Sequence, residues 1–190
     1  MNARLATFAL TTALFATSAV AAPETYKVDS THTFPSFEVG HLGFSTQRGR
    51  FNTTSGTIVM DRAKKTASID IAIDAASINT GLAKLEDHLK TPDFLDVAKH
   101  PTITFKSTGA RFEGDKLAAV DGKLTMRGVT KPVTLAVSSF YCGMHPIIKK
   151  PACGADAVTT IKRSDFGINY ALPAVSDEVK LLIQVEAHKQ

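Results

Sequence analysis

The chain has 190 residues, of which 44% are hydrophobic and 21% charged, and a formal net charge of +4. That is enough chain for one domain with a real core. Charges of both signs are interspersed, with no basic block and no interleaved aromatic stripe, which excludes a nucleic-acid footprint.

Residues 1–21 carry Arg4 as their only charged side chain, an apolar run from Leu5 to Phe15, and the small-x-small ending Ala19-Val20-Ala21. This is the form of a secretory signal cut after Ala21, since a cut after Ala22 would put Pro23 in the first mature position. The apolar run is too short to span a bilayer and no longer one follows, so no transmembrane segment is expected. No cysteine lies near the cut to carry a lipid anchor. Residues 22–190 are then the mature, exported domain, and with Arg4 gone they are only weakly basic.

The stretch Phe37–Phe51 reads as a strand, a glycine-bearing corner and the start of a second strand. In an extended chain Phe37, Val39 and His41 share one face. Gly40, Gly43 and Gly49 let the backbone bend or be closely approached, which would carry Phe44 and Phe51 out of strict alternation and over the same space. Aromatic walls with one titratable group suit a pocket mouth.

Period-two segments follow. Ile69, Ile71 and Ile73 alternate with Ser68, Asp70, Ala72 and Asp74; Val120, Gly122, Leu124 and Met126 with Asp121, Lys123, Thr125 and Arg127. Val133, Leu135 and Val137 alternate with Thr134, Ala136 and Ser138, and Val179, Leu181, Ile183 and Val185 with Lys180, Leu182, Gln184 and Glu186. Such one-sided strands are antiparallel and wet on the outside. Turns are expected at Glu113-Gly114-Asp115 and Gly128-Val129-Thr130. With further segments near 34–41, 48–60, 101–112 and 155–163, the count is about eight strands, and an eight-stranded closed sheet is about the smallest barrel that holds a ligand.

One segment breaks the β pattern. Leu82, Leu85 and Leu89 recur at helical spacing, and Thr91-Pro92-Asp93 predicts a second short helix through Phe94 and Leu95. This helical insert belongs against one barrel end. Either its leucines plug the barrel, or Leu85, His88, Leu89 and Phe94 form a lid over a cavity.

Cys142 and Cys153 flank Gly143-Met144-His145-Pro146. In an exported chain they read as a disulfide closing a hairpin end. The alternative is copper or zinc held by Cys142, Met144, His145 and Cys153, although the spacing matches no strong metal signature. No metal ligand and no cofactor are therefore assigned. No GxSxG, HExxH, GxxxxGK[ST] or GxGxxG pattern is present, and neither His41 nor His88 stands in a recognised nucleophile arrangement, so the chain is read as a binder and not an enzyme.

Taken together, His41-Leu42-Gly43-Phe44-Ser45, Gly49-Arg50-Phe51, Glu86-Asp87-His88-Leu89, Pro92-Asp93-Phe94-Leu95-Asp96, Pro101-Thr102-Ile103-Thr104-Phe105, Gly122 to Val133 and Ser176-Asp177-Glu178-Val179 resemble, in order and spacing, the YceI-like family of lipid or polyisoprenoid-binding proteins. The resemblance covers nearly the whole mature chain. Glu86 departs from it, standing where the family more often has an aspartate two before the histidine, and the stretch between the cysteines is less like the family than its surroundings. The resemblance implies a lipocalin-like antiparallel barrel in the bacterial periplasm enclosing a long apolar molecule such as an isoprenoid quinone, a polyprenyl chain or a fatty-acid-like chain. Its ligand is then expected at Phe37, Val39, His41, Phe44, Phe51, Leu85, His88, Leu89, Phe94, Phe105 and Met126, with His41 and His88 candidates for a polar head group. A homodimer stays open, as does a second reading, a metal-handling or redox protein using the Cys142–Cys153 region.

Overall fold

The structure, a computed structural model, describes residues 22–190; the expected leader lies outside them. In chain order the strands are β1 (Glu24–Val28), β2 (Ser36–His41), β3 (Ser45–Phe51), β4 (Thr54–Asp61), β5 (Thr66–Asp74), β6 (Ile78–Asn79), β7 (Thr102–Glu113), β8 (Lys116–Met126), β9 (Val129–Met144), β10 (Pro151–Lys162) and β11 (Val175–Lys189). Eight of them close an antiparallel ring in the order β1-β4-β5-β7-β8-β9-β10-β11 and back to β1. The last strand has two partners on one edge. Its end, Ala187 to Lys189, pairs with β1, and its first part, Val175 to Leu182, pairs with β2, which carries β3 and β6 beyond it.

The alternating stripes all turn inward. Ile69, Ile71 and Ile73, then Leu124 and Met126, Val133 and Leu135, and Leu181 and Ile183 face one interior, because burying the apolar face of each strand removes it from water while the charged face stays wet. Gly122 holds a place in its stripe without a side chain: a Cβ there would run into the Phe105 ring, which crosses the interior at that point.

Three expectations about elements need correction. The segment expected as one strand over 48–60 is two, β3 and β4, broken at Asn52 and Thr53, where the Asn52 amide donates to the Ser77 carbonyl and the Asp74 amide to the Thr53 carbonyl. The chain there leaves β2 and β6 and joins β1 and β5 to close the ring. The turn expected at Gly128-Val129-Thr130 lies one residue earlier, with Arg127 at φ 51° and Gly128 at φ 74°, the left-handed pair that a two-residue hairpin requires. In the insert, only α1 (Ala83–Leu89) is a helix. The segment from Thr91 to Leu95 is a set of turns in which the Leu95 amide donates to the Leu89 carbonyl and the Asp96 amide to the Thr91 carbonyl. Asp96, at φ 48°, turns the chain out of any helix.

The two ends of the barrel differ. At the insert end Leu89, Phe94 and Val97 pack against a buried cluster that includes Ile73, Leu95, Ile103, Phe166 and Ile168. Beside it a 3-10 turn, Arg163–Phe166, is tied down by Arg163, which is 5% exposed and donates to the carbonyls of Ile168, Tyr170, Val175 and Ser176. The opposite end carries the β4–β5, β7–β8 and β9–β10 turns, and a second cluster of Tyr26, Val28, Ile58, Met60, Cys153 and Ala187.

Candidate functional site

Between these two clusters lies an interior cavity of about 150 Å³. Its walls are aliphatic: Ile58 on β4, the β5 isoleucines, Ile103 and Phe105 on β7, Leu117, Val120, Leu124 and Met126 on β8, Val133, Leu135 and Val137 on β9, Ala155, Ala157 and Ile161 on β10, and Leu181, Ile183 and Val185 on β11. No charged residue, histidine or cysteine is among the lining residues. Where β11 passes from β1 to β2, the chain leading into β2 contributes Thr33 and Pro35 to the wall, and the first residue of β2 contributes Ser36. Two of the polar lining groups are occupied. The Thr33 hydroxyl donates to the Glu186 carbonyl at 3.3 Å and accepts from its amide at 3.1 Å, and the Ser36 hydroxyl donates to the Phe34 carbonyl at 3.1 Å. The Thr54 Oγ1 is buried and without a hydrogen-bond partner.

Of the residues expected from the sequence, Phe51, Phe105 and Met126 line this cavity. Phe37 stands behind it, with its ring over Gly49 and 6.3 Å from the Phe51 ring. Leu89 and Phe94 pack against the insert-end cluster, so the structure brings them to the floor of the barrel and not to its lining. Leu85, on α1, and Val39 are half-buried outside the lining, and His41 closes β2 opposite Ser45 and Val175. Phe44 is corrected outright: it is 90% exposed. Leu42 and Gly43, both at positive φ, form a tight turn with the Phe44 amide bonded to the His41 carbonyl, and that turn sends the ring to solvent.

His88 also lies outside the lining. Its Nε2 is 2.9 Å from Asp93 Oδ2, and its ring meets those of Phe94 and Tyr170 edge-on at 5.0 Å each. These contacts join the insert to the 163–174 connection. Glu86 accepts from the amides of Thr80 and Gly81, and the Thr80 bond above all holds its carboxyl below the usual range. Asp177 caps the 3-10 turn through the amide and hydroxyl of Ser164, which lower its pKa likewise. Both motif carboxylates are thus occupied in holding backbone.

Cys142 and Cys153 are a directly opposed cross-strand pair and form a disulfide. The metal alternative built on those two thiolates is therefore corrected: neither sulfur is free to ligate. Sequence reasoning missed Thr33, Pro35, Ser36 and Thr54 in the wall. Thr33 precedes the strand expected near 34–41 and Pro35 and Ser36 stand at its start, ahead of the Phe37, Val39 and His41 row, and only the closure of the ring places them in the wall. The small β10 residues Ala155, Ala157 and Thr159 do alternate, and that pattern could have found them.

Residues 26–187 match the YceI-like domain. The protein YceI of Salmonella arizonae is 39% identical over 193 aligned positions that cover the whole of both chains. Among solved structures, Burkholderia cenocepacia BcnA superposes with a TM-score of 0.72 at 26% identity, covering 84% of this chain and 98% of that one. A polyisoprenoid binding domain from Saccharophagus degradans shares the fold, with a TM-score of 0.63 at 17% identity over 87% of this chain and 98% of its own. The match runs from β1 to β11, through every strand of the closed barrel, and shows that the chain belongs to the YceI-like family.

Proposed function

We propose that this is an exported, non-catalytic binding protein that takes a slender apolar chain, an isoprenoid or fatty-acyl tail, into the barrel. The observation that carries the reading is the wall itself: an interior space lined by aliphatic and aromatic side chains, with no acid, base or thiol among them to act on a substrate. Each buried methylene contributes about 0.8 kcal/mol, so one five-carbon unit supplies roughly 3–4 kcal/mol before binding costs. The fold shared with a polyisoprenoid binding domain accords with such a tail.

The space is small. At about 150 Å³ it lies below the roughly 300–1,000 Å³ of most ligand pockets and near the engineered cavities that hold a single benzene. One isoprene unit fits as the barrel stands. A longer tail enters only as lining side chains turn aside, and Met126, unbranched and adaptable, is suited to yield at the insert end. No helix among the described residues is long and apolar enough to cross a membrane, and the periplasm is the compartment the leader and the disulfide both favour.

The test is mass spectrometry of organic extracts from natively purified protein, followed by uptake of a ubiquinone-type quinone or a fluorescent polyene. Release of a long-chain lipid and saturable uptake support the proposal. Protein that is empty on extraction and takes up neither probe overturns it. Amino-terminal sequencing of the secreted form should start at Ala22; a start at Met1 in periplasmic material would refute the leader.

A further inference from the structure

On the outside of the barrel, at the end away from the insert, three segments remote in sequence bring their histidines together. Glu186 and His188 are two apart on β11 and point outward, because Val185 lines the cavity and Ala187 is 0% exposed in the core. His145 opens the turn between β9 and β10, and its ring stands 5.6 Å from that of His188, nearly perpendicular to it at 83°. One ligand atom from each of His145, Glu186 and His188 lies within 4.8 Å of the others. Asp29 and His32, just after β1, form a second group with the same Glu186 inside the same limit.

Two details mark this cluster as more than a polar surface. The His188 Nε2 is buried and has no hydrogen-bond partner; the nearest carboxylate oxygen, Asp29 Oδ2, is 3.8 Å away. A buried imidazole nitrogen left unbonded beside a carboxylate and a second imidazole is costly unless something else occupies the lone pair. Asp29 Oδ2 also lies 2.7 Å from His32 Nδ1. That is the carboxylate–histidine pairing that orients an imidazole for metal binding and leaves its Nε2 available.

The backbone beneath is braced. The Cys142–Cys153 disulfide ties the two strands of the His145 hairpin, the His145 amide donates to the Lys150 carbonyl at 2.8 Å, and the Asp29 amide to the Glu186 carbonyl at 2.9 Å. His145 Nδ1 accepts from the amides of Ile147 and Ile148 at 3.2 and 3.4 Å, contacts long enough to give way. An open cleft of about 510 Å³, lined in part by His32, His145 and Glu186, provides access from solvent.

We propose that His145, Glu186 and His188 form a binding site for a divalent first-row cation of the zinc or copper type, with His32, oriented by Asp29, as the adjoining fourth ligand. Two imidazoles and a carboxylate are a donor set that zinc accepts, and imidazole favours these ions over magnesium and calcium. Ligand atoms around a tetrahedral ion with bonds of about 2.1 Å are about 3.4 Å apart. For His145, Glu186 and His188 the present spread of up to 4.8 Å therefore closes by side-chain rotations of about an ångström, without moving the strands, and His32, which shares that limit with Glu186, swings in from its exposed position to complete the set. The site uses neither sulfur of the disulfide and lies outside the barrel wall, so it stands or falls independently of the apolar-chain reading.

The experiment is calorimetric titration of untagged, chelator-stripped protein with its disulfide intact. Zinc is the titrant, and magnesium and calcium are controls. The expected result is one zinc per chain with a Kd below about 10 μM and no heat from the controls. Glu186→Gln and His188→Ala should each weaken zinc binding by about tenfold or more, and Asp29→Asn by about tenfold through loss of orientation. His145→Ala, in an exposed turn, keeps the test sound if a β11 variant fails to fold. A Kd weaker than that limit, or affinity unchanged in both His145→Ala and Glu186→Gln, overturns the proposal.

Discussion

Ala157→Leu fills the cavity from the wall of β10. Ala157 is 7% exposed and faces the interior space of about 150 Å³. The substitution adds three carbons, worth about 2 kcal/mol of burial at 0.8 kcal/mol per methylene, and ordering a leucine returns about 0.5–1 kcal/mol. A space that size accommodates a six-carbon ring, so three carbons enter without the overpacking that costs about 1–3 kcal/mol. The net gain is about 1 kcal/mol, which raises Tm by about 2–4 °C in a domain of this size. Binding moves the other way. What remains of the space no longer takes a five-carbon unit, and the lost contact of about 3–4 kcal/mol weakens retention by about 100-fold or more. Thermal melts and competition against a fluorescent polyene read both effects on one sample. Undiminished affinity in a variant of raised Tm would show that the ligand is not in the barrel, and a Tm lowered by several degrees would show that the space is not there to fill.

Three further outcomes are expected. The disulfide closes a loop of sequence separation 11, so Cys142→Ser/Cys153→Ser should lower stability by about 3 kcal/mol in the chain-entropy model, read as a shifted urea midpoint, while alkylation of the oxidised parent should give no thiol adducts by intact mass. Burial alone would raise the pKa of Asp29, but hydrogen bonds led by the Thr31 hydroxyl bring it down to about 2 from 3.8. A depressed carboxylate stabilises the fold above its unfolded value and loses that contribution as pH falls, so the parent should lose up to about 2 kcal/mol between pH 4 and 2. Asp29→Asn should lack that part of the slope in urea melts at pH 5, 3 and 2. For Arg163→Met, four carbonyls lose their donor in a site 5% exposed, and a loss of at least about 3 kcal/mol, with faster amide exchange over 168–175, is expected; a loss below about 1 kcal/mol would mean that other groups hold the connection.

The parts legible in advance were those whose signal is local. Alternation such as Ile69, Ile71 and Ile73 follows from the pleat of one strand with one wet face, and it holds whatever the strand pairs with. By contrast β1 offers only Tyr26 and Val28 as apolar marks in five residues, and it is a strand because Lys189 to Ala187 and Met60 to Thr57 pair along both its edges. The break at Asn52 and Thr53 has no glycine or proline to announce it. Phe44 looked like a cavity residue because aromatic character was legible and the turn geometry of Leu42 and Gly43 was not.

Composition, alternation, the Leu82–Leu89 spacing and the two cysteines determined a wet-faced antiparallel sheet, one helix, and a cross-linked hairpin. These depend on interactions within a few residues, where a pleat or a helical turn puts neighbours on one face or the other. Only the tertiary structure decided that the ring closes at β1 and β11, that the remaining interior is about 150 Å³, and that Asp29, His32, His145, Glu186 and His188 share one corner. A void is the small remainder after side chains from the strands of the barrel and from the insert have packed, and a convergence of remote residues is set by strand register. Both belong to the whole barrel, and no stretch of chain carries them alone.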